Sequence, residues 1–144
     1  MKEIFFIILS VAFSVNAASL SRQIHCMESN ASIGKKIRLT YATISYDADN
    51  WMISYVKYSN SDKPIPLNLV ESSHENDGTK SELITEKWSE FIKGKVNGYY
   101  VISTQGVYVN NFTYTNKNGV DYIFKENANA FSPDSQSCDW NRID

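Results

Sequence analysis

The sequence contains few of the residues on which catalysis and metal binding commonly depend. Only two of its 144 residues are histidines, His25 and His74, and only two are cysteines. A nucleophile–histidine–carboxylate triad would have to use one of these histidines, and neither lies beside a Gly-x-Ser-x-Gly elbow. The chain also has no His-Glu-x-x-His motif, no calcium loop of EF-hand spacing and no Cys-x-x-Cys pair. We therefore predict no catalytic residues, no metal site and no cofactor.

A strong charge of either sign is also absent. The chain carries 14 basic and 16 acidic residues, for a formal net charge of −2. Nucleic acids and anionic membrane surfaces are bound by clustered basic residues, so neither is predicted as a partner. After residue 17 no apolar run approaches the roughly 20 residues that span a membrane, and no repeat or linker divides the chain. These absences indicate a single globular domain, which we place at residues 18–144.

The first 17 residues have the organisation of a cleavable export signal. Lys2 precedes an apolar run over residues 4–15, and Val15-Asn16-Ala17 supplies a small-residue cleavage site. We therefore predict cleavage after Ala17 and a periplasmic or secreted protein. The first cysteine, Cys26, lies well beyond this site, so a lipid anchor is not predicted.

The two cysteines, Cys26 and Cys138, lie close to the two ends of the mature chain. Exported proteins fold in an oxidising space, where cysteines are usually paired. We therefore expect a Cys26–Cys138 disulfide that ties the termini together.

The residues that are abundant are those of β-strands. Aromatic residues make up 13% of the chain, nine of them tyrosines, and they lie in short runs with Val, Ile and Thr. We predict a mainly β fold, a single antiparallel β-sandwich or a partly open β-barrel, with at most one helix. The last part of the chain reads as a meander of three strands: Val96–Thr104, Val107–Thr115 and Val120–Lys125.

The first hairpin can be aligned from the sequence. Lys36–Tyr46 and Trp51–Tyr58 flank the turn Asp47–Asn50, and a four-residue loop pairs Tyr46 with Trp51.

In the last hairpin, a three-residue loop ending at Gly119 places Tyr114 opposite Tyr122 and Phe112 opposite Phe124. This register collects the aromatic rings on one face, and it requires a positive φ angle at Gly119.

Three segments are less clear. Ile65–Val70 contains a proline and is expected near a sheet edge, and Glu71–Lys80 is expected to be a polar loop. The apolar residues of Ser81–Lys93 fit one face of a helix and a strand almost equally well. We favour a strand because a strand-like pattern begins directly after this segment. We expect His25 to be a partly exposed strand residue and His74 to lie in the solvated acidic loop.

Two residue pairs are candidate site residues. Tyr99 and Tyr100 are adjacent on one strand, so their side chains lie on opposite faces. The outward one is a candidate contact surface, because tyrosine buries a large area and keeps a polar group. Glu86 and Glu90 are the best paired carboxylates, but on a strand they are two pleats apart, and the default interpretation is structural.

The favoured function is that of an exported, non-enzymatic binding or interaction module, for example an inhibitor-like or immunity-like partner of another exported protein. Its partner would be a protein or a glycan. One alternative is a small hydrolase with unidentified carboxylate catalysis, which a carboxylate beside His74 would favour. A second is a structural subunit assembled by strand pairing, which would need a long unpaired sheet edge.

Overall fold

The computed structural model describes residues 19–30, 34–46, 49, 51–76, 78 and 80–143. The expected signal peptide and most of the first hairpin turn lie outside these residues, so cleavage after Ala17 stays a prediction. Eight strands follow one another: β1 (Leu20–Ser29), β2 (Arg38–Tyr46), β3 (Trp51–Tyr58), β4 (Ile65–Glu75), β5 (Leu83–Ile92), β6 (Lys95–Gln105), β7 (Tyr108–Asn116) and β8 (Asp121–Glu126). Two short 3-10 turns, Ala128–Ala130 and Trp140–Arg142, lie in the tail.

Each strand pairs antiparallel with the next, and β8 pairs with β1 to close the barrel. The prediction of a mainly β, antiparallel fold is confirmed, and its form is the barrel. The seams differ in length, because β3–β4, β7–β8 and β1–β8 are each joined by only three residue pairs. Within the described residues, no helix is long and apolar enough to cross a membrane.

Both predicted hairpin registers are confirmed. Tyr46 lies opposite Trp51 in the first hairpin, and Tyr114 lies opposite Tyr122 in the last. Gly119 has a φ angle of 78°, and its N–H donates to the Asn116 carbonyl at 2.9 Å, as a three-residue loop requires. Register is well specified here because one face of each hairpin is buried in the barrel.

The segment Ser81–Lys93 contains strand β5 and no helix. It pairs with β4 on one side and β6 on the other, so neighbouring strands satisfy the backbone groups that a helix would have satisfied internally.

The expectation of a loop at Glu71–Lys80 is wrong for its first half, because β4 continues to Glu75. The strand carries a bulge at Val70, after which Glu71 pairs with Lys87 and Glu75 with Leu83. Polar side chains are compatible with a strand at this position because both of its faces are exposed to solvent. The edge position expected for Ile65–Val70 is wrong at Leu67, which pairs with both β3 and β5. From Asn68 onward the strand pairs only with β5 among the described residues, so that part does lie at an edge.

The core fills the middle of the barrel with side chains from alternate positions of the strands. Tyr41, Phe112 and Phe124 form a chain of edge-to-face rings with centroids 5.4 and 5.5 Å apart. The largest fully buried side chains are Trp88, Tyr100, Phe112, Met27, Leu39, Ile102, Glu90 and Val56.

The disulfide predicted between Cys26 and Cys138 is present, with a sequence separation of 112 residues. It fixes the tail to strand β1. The tail is also held by a hydrogen bond from the Asn127 N–H to the Cys26 carbonyl at 2.8 Å, and by Arg38, which lies over the Trp140 ring at 5.9 Å.

Candidate functional site

One end of the barrel opens into a cavity, which we call the mouth. This end carries the β3–β4, β5–β6 and β7–β8 connections. The cavity has a volume of about 350 Å³, which is within the range of small-molecule sites. It is lined by Ile37, Tyr58, Glu90, Ile92, Asn97, Tyr114, Asn116, Lys117, Asn118, Tyr122 and Phe124.

A carboxyl group lies in the wall of this mostly apolar and aromatic cavity. Even-numbered positions of β5 point into the barrel, so Glu90 follows Trp88 on the inward face, and it is only 1% exposed. A buried carboxylate requires hydrogen-bond donors to offset its desolvation. The surrounding strands provide four of them.

The four donors are neutral, and they divide equally between the two carboxyl oxygens. Oε1 is 3.3 Å from the Tyr58 hydroxyl and 3.2 Å from the Tyr100 hydroxyl. Oε2 accepts from the Tyr114 hydroxyl at 2.8 Å and from the Asn97 amide at 2.7 Å. A carboxylate has no hydrogen to donate, so each hydrogen bond formed at Glu90 is donated to it by one of these groups.

Counting hydrogens shows that one accepting position remains at Oε1. The Tyr58 and Tyr100 oxygens are 2.7 Å apart, so one of their two hydroxyl hydrogens lies between them. Only the other hydrogen is left to donate to Glu90, whereas each carboxylate oxygen can accept about two hydrogen bonds. Tyr58 and Glu90 both line the cavity, and Glu90 is 1% exposed.

The three tyrosines are held in their donor form. Burial raises the pKa of Tyr58, Tyr100 and Tyr114, and the neighbouring Glu90 adds to the increase in each case. Their hydroxyls thus stay protonated at physiological pH and present hydrogens to the carboxyl group.

The network depends on a glycine directly across from Glu90. Gly98 pairs with Glu90 on the neighbouring strand, and a Cβ atom there would be 2.5 Å from both the Tyr114 hydroxyl and the Thr115 carbonyl oxygen. The absence of a side chain at Gly98 lets Tyr114 reach Glu90.

The structure separates the two tyrosines of the candidate contact surface. Tyr100 is completely buried and belongs to the Glu90 network, so it cannot contact a partner outside the barrel. Tyr99 points outward and is 37% exposed, with the Lys87 ammonium 4.9 Å from its ring centroid. Tyr99 alone keeps the predicted contact role.

Glu86 shares the inward face with Glu90 but does not join its network. It accepts a hydrogen bond from the Trp88 indole at 3.1 Å, and burial raises its pKa.

The two histidines lie at separate places. His25, expected to be partly exposed, is buried, and its Nδ1 is 2.7 Å from Glu126 Oε1. The side chain points into the barrel because His25 pairs with the inward-facing Tyr41.

His74 lies on β4 and not in a loop. Its Nδ1 is 3.0 Å from Glu82 Oε2, and its Nε2 is 3.4 Å from the Ser72 hydroxyl. This is the order of a serine–histidine–carboxylate array, but the His74 and Glu82 side chains are about half exposed, and the serine contact is long.

Comparisons with known proteins place no further constraint on the site. No family model, curated protein or solved structure matches the chain. Among the described residues, no group of three or more His, Cys, Asp and Glu side chains could hold a metal ion.

Sequence reasoning noted Glu90 only as one of a carboxylate pair with a structural role by default, and it missed Tyr58, Asn97 and Tyr114 as its partners. They come from three other strands, β3, β6 and β7. The signal that could have found the site is an acidic residue on the inward face of a strand that also carries Trp88, since such a residue must find donors inside the barrel.

Proposed function

We propose that the chain is an exported, non-enzymatic binding protein that takes a small molecule into the mouth of the barrel. The ligand has an apolar body and an ammonium group. The observation that carries this proposal is the accepting position that remains on Glu90 inside a cavity of ligand size. Export is supported by the signal-like first 17 residues and by the Cys26–Cys138 disulfide.

The ammonium group follows from the charge at Glu90 itself; Lys117 also lines the cavity but does not hydrogen-bond to Glu90. The four donors to Glu90 are neutral, so they orient the carboxylate without neutralising it. A cationic donor would add an ion pair to the hydrogen bond with Glu90, which a neutral donor cannot do. Ile92, Tyr122 and Phe124 would enclose the apolar body.

Calorimetric titration tests this proposal with three probes of similar shape: 2-phenylethylammonium, 2-phenylethanol and 3-phenylpropanoate. We expect the ammonium to bind at least tenfold more tightly than the carboxylate, and Glu90→Gln to abolish the difference. Glu71→Gln, an exposed glutamate outside the mouth, is the matched control and should change nothing. Equal binding of all three probes, or full retention of the preference in Glu90→Gln, would contradict the proposal.

If Glu90→Gln is too unstable for titration, a second variant still tests the proposal. Tyr58→Phe removes a hydroxyl that lines the cavity but leaves Tyr100, Tyr114 and Asn97 as donors to Glu90. This variant should bind the ammonium probe as tightly as the natural protein, because the Tyr100 hydroxyl still donates one hydrogen to Oε1 and the same accepting position remains.

A hydrolase is the second candidate, and the Ser72–His74–Glu82 array is the observation that favours it. An ester such as p-nitrophenyl acetate is the simplest substrate for an exposed serine. The hydrolase account requires turnover that is lost in Ser72→Ala and in His74→Ala. Hydrolysis at the same rate in both variants would remove this candidate.

A further inference from the structure

Strand β4 has a long backbone edge that none of the described strands covers. It pairs with β3 only through Ile65, Pro66 and Leu67. From Asn68 to Glu75 it has no pairing partner on that side among the described residues, although it continues to pair with β5 on the other. The described residues of β3 that extend beyond the seam, from Trp51 to Ile53, do not close the gap.

An uncovered edge of this kind can accept another strand. In an antiparallel sheet every second residue directs its N–H and C=O groups to the same side, so the segment from Asn68 to Glu75 presents a row of unpaired groups away from β5. Such edges are the sites of strand addition by extended peptides. Exposed Leu69 and Val70 lie at the end of this edge nearer the seam.

The side chains beside the edge select the charge of the incoming strand. After the bulge at Val70, Glu71, Ser73 and Glu75 share the outer face of the barrel, and all three are exposed. Neither glutamate forms an ion pair with another described residue. Lys87, which is opposite Glu71, lies over the Tyr99 ring instead.

The same charges disfavour a second copy of this chain as the occupant. A two-fold antiparallel pairing of β4 edges centred on Ser73 would set Glu71 opposite Glu75 twice, and like charges directly opposite one another destabilise a strand pair.

We propose that the β4 edge from Asn68 to Glu75 binds an extended segment of another protein that carries basic residues four positions apart. The two basic side chains lie opposite Glu75 and Glu71 in an antiparallel register. Their spacing is about 13 Å along the strand. Main-chain hydrogen bonds hold the segment, and the two charge pairs set its register. This surface is separate from the mouth, so it does not depend on the proposed small-molecule site.

The probe is a fluorescein-labelled peptide, Thr-Lys-Thr-Val-Thr-Lys-Thr, with Thr-Glu-Thr-Val-Thr-Glu-Thr as its control, and binding is followed by fluorescence anisotropy. We expect the lysine peptide to bind at least tenfold more tightly than the glutamate peptide. The double variant Glu71→Lys/Glu75→Lys should reverse this preference. Asp62→Lys, an exposed acid in the β3–β4 connection, should leave the preference unchanged.

Hydrogen exchange locates the bound peptide independently of its affinity. The lysine peptide should slow the exchange of backbone amides between Asn68 and Glu75 and leave those of β6 and β7 unchanged. The proposal is overturned by equal binding of both peptides, by protection confined to other strands, or by sedimentation showing that the protein already covers this edge as a dimer.

Discussion

Removal of the Cys26–Cys138 disulfide should destabilise the protein by about 4–5 kcal/mol. The bond joins residues 112 apart in sequence, and the loop-closure entropy that it removes from the unfolded chain has this magnitude for a loop of roughly 100 residues. The tail keeps its other attachments, the hydrogen bond from Asn127 to Cys26 and the contact of Trp140 with Arg38. The native state should therefore change little.

The test is urea denaturation of a Cys26→Ala/Cys138→Ala variant, measured at equilibrium and by stopped-flow kinetics. A loss of this size should lower the melting temperature by roughly 10–20 °C for a domain of this length. Because the effect acts on the unfolded chain, refolding should slow while unfolding stays nearly unchanged. A loss below about 1 kcal/mol, or a loss expressed mainly as faster unfolding, would refute the loop-closure reasoning.

Three further predictions concern the turn, the surface charges and the outer tyrosine. Gly119→Val should cost more than about 1 kcal/mol because Gly119 has a φ of 78°, whereas Gly119→Asn should cost much less; equal melting temperatures would contradict this. The Lys36 ammonium lowers the pKa of Glu28 from its ordinary 4.5, so Glu28 stabilises the fold at neutral pH and loses this contribution as the pH falls through its lowered pKa. The melting difference between the natural protein and Glu28→Gln should accordingly shrink between pH 5 and pH 2, and a constant difference would disprove the linkage. Tyr99→Ala should weaken capture of an exported protein partner by about 1–2 kcal/mol and change fold stability by less than about 0.5 kcal/mol; unchanged capture would exclude Tyr99 as a contact.

The local features of the fold could be predicted from the sequence because they depend on period-two patterning and on turn chemistry. The alternation of aromatic residues along the two strands and the turn at Gly119 are together sufficient to predict that Tyr114 pairs with Tyr122. Barrel closure could not be predicted in this way. It rests on pairs such as Met27 with Glu126, which are separated by about two thirds of the chain.

The polar end of β4 shows a second limit of prediction from the sequence. Glu71 to Glu75 has the composition of a loop, and its strand conformation comes from pairing with β5 rather than from its own preferences. Tertiary pairing overrides local propensity there.

The alternation of side chains between the two faces of a strand is also not sufficient to predict a binding site. It placed Tyr99 and Tyr100 on opposite faces but did not determine which of them points inward, because that depends on the register with neighbouring strands. Alternation also puts Glu90 on the face of Trp88, but the donors to Glu90 come from strands distant in sequence. The candidate site therefore could not be predicted without the strand pairing of the closed barrel.

An amide NMR titration of the protein with 2-phenylethylammonium tests most directly whether Glu90 makes the mouth a binding site. Our account predicts saturable shifts at Ile92, Asn97 and Asn118, which line the cavity, and none at Tyr99 on the outer face. It also predicts that these shifts disappear in Glu90→Gln. Shifts that cluster outside the mouth, or that persist unchanged in Glu90→Gln, would contradict the account.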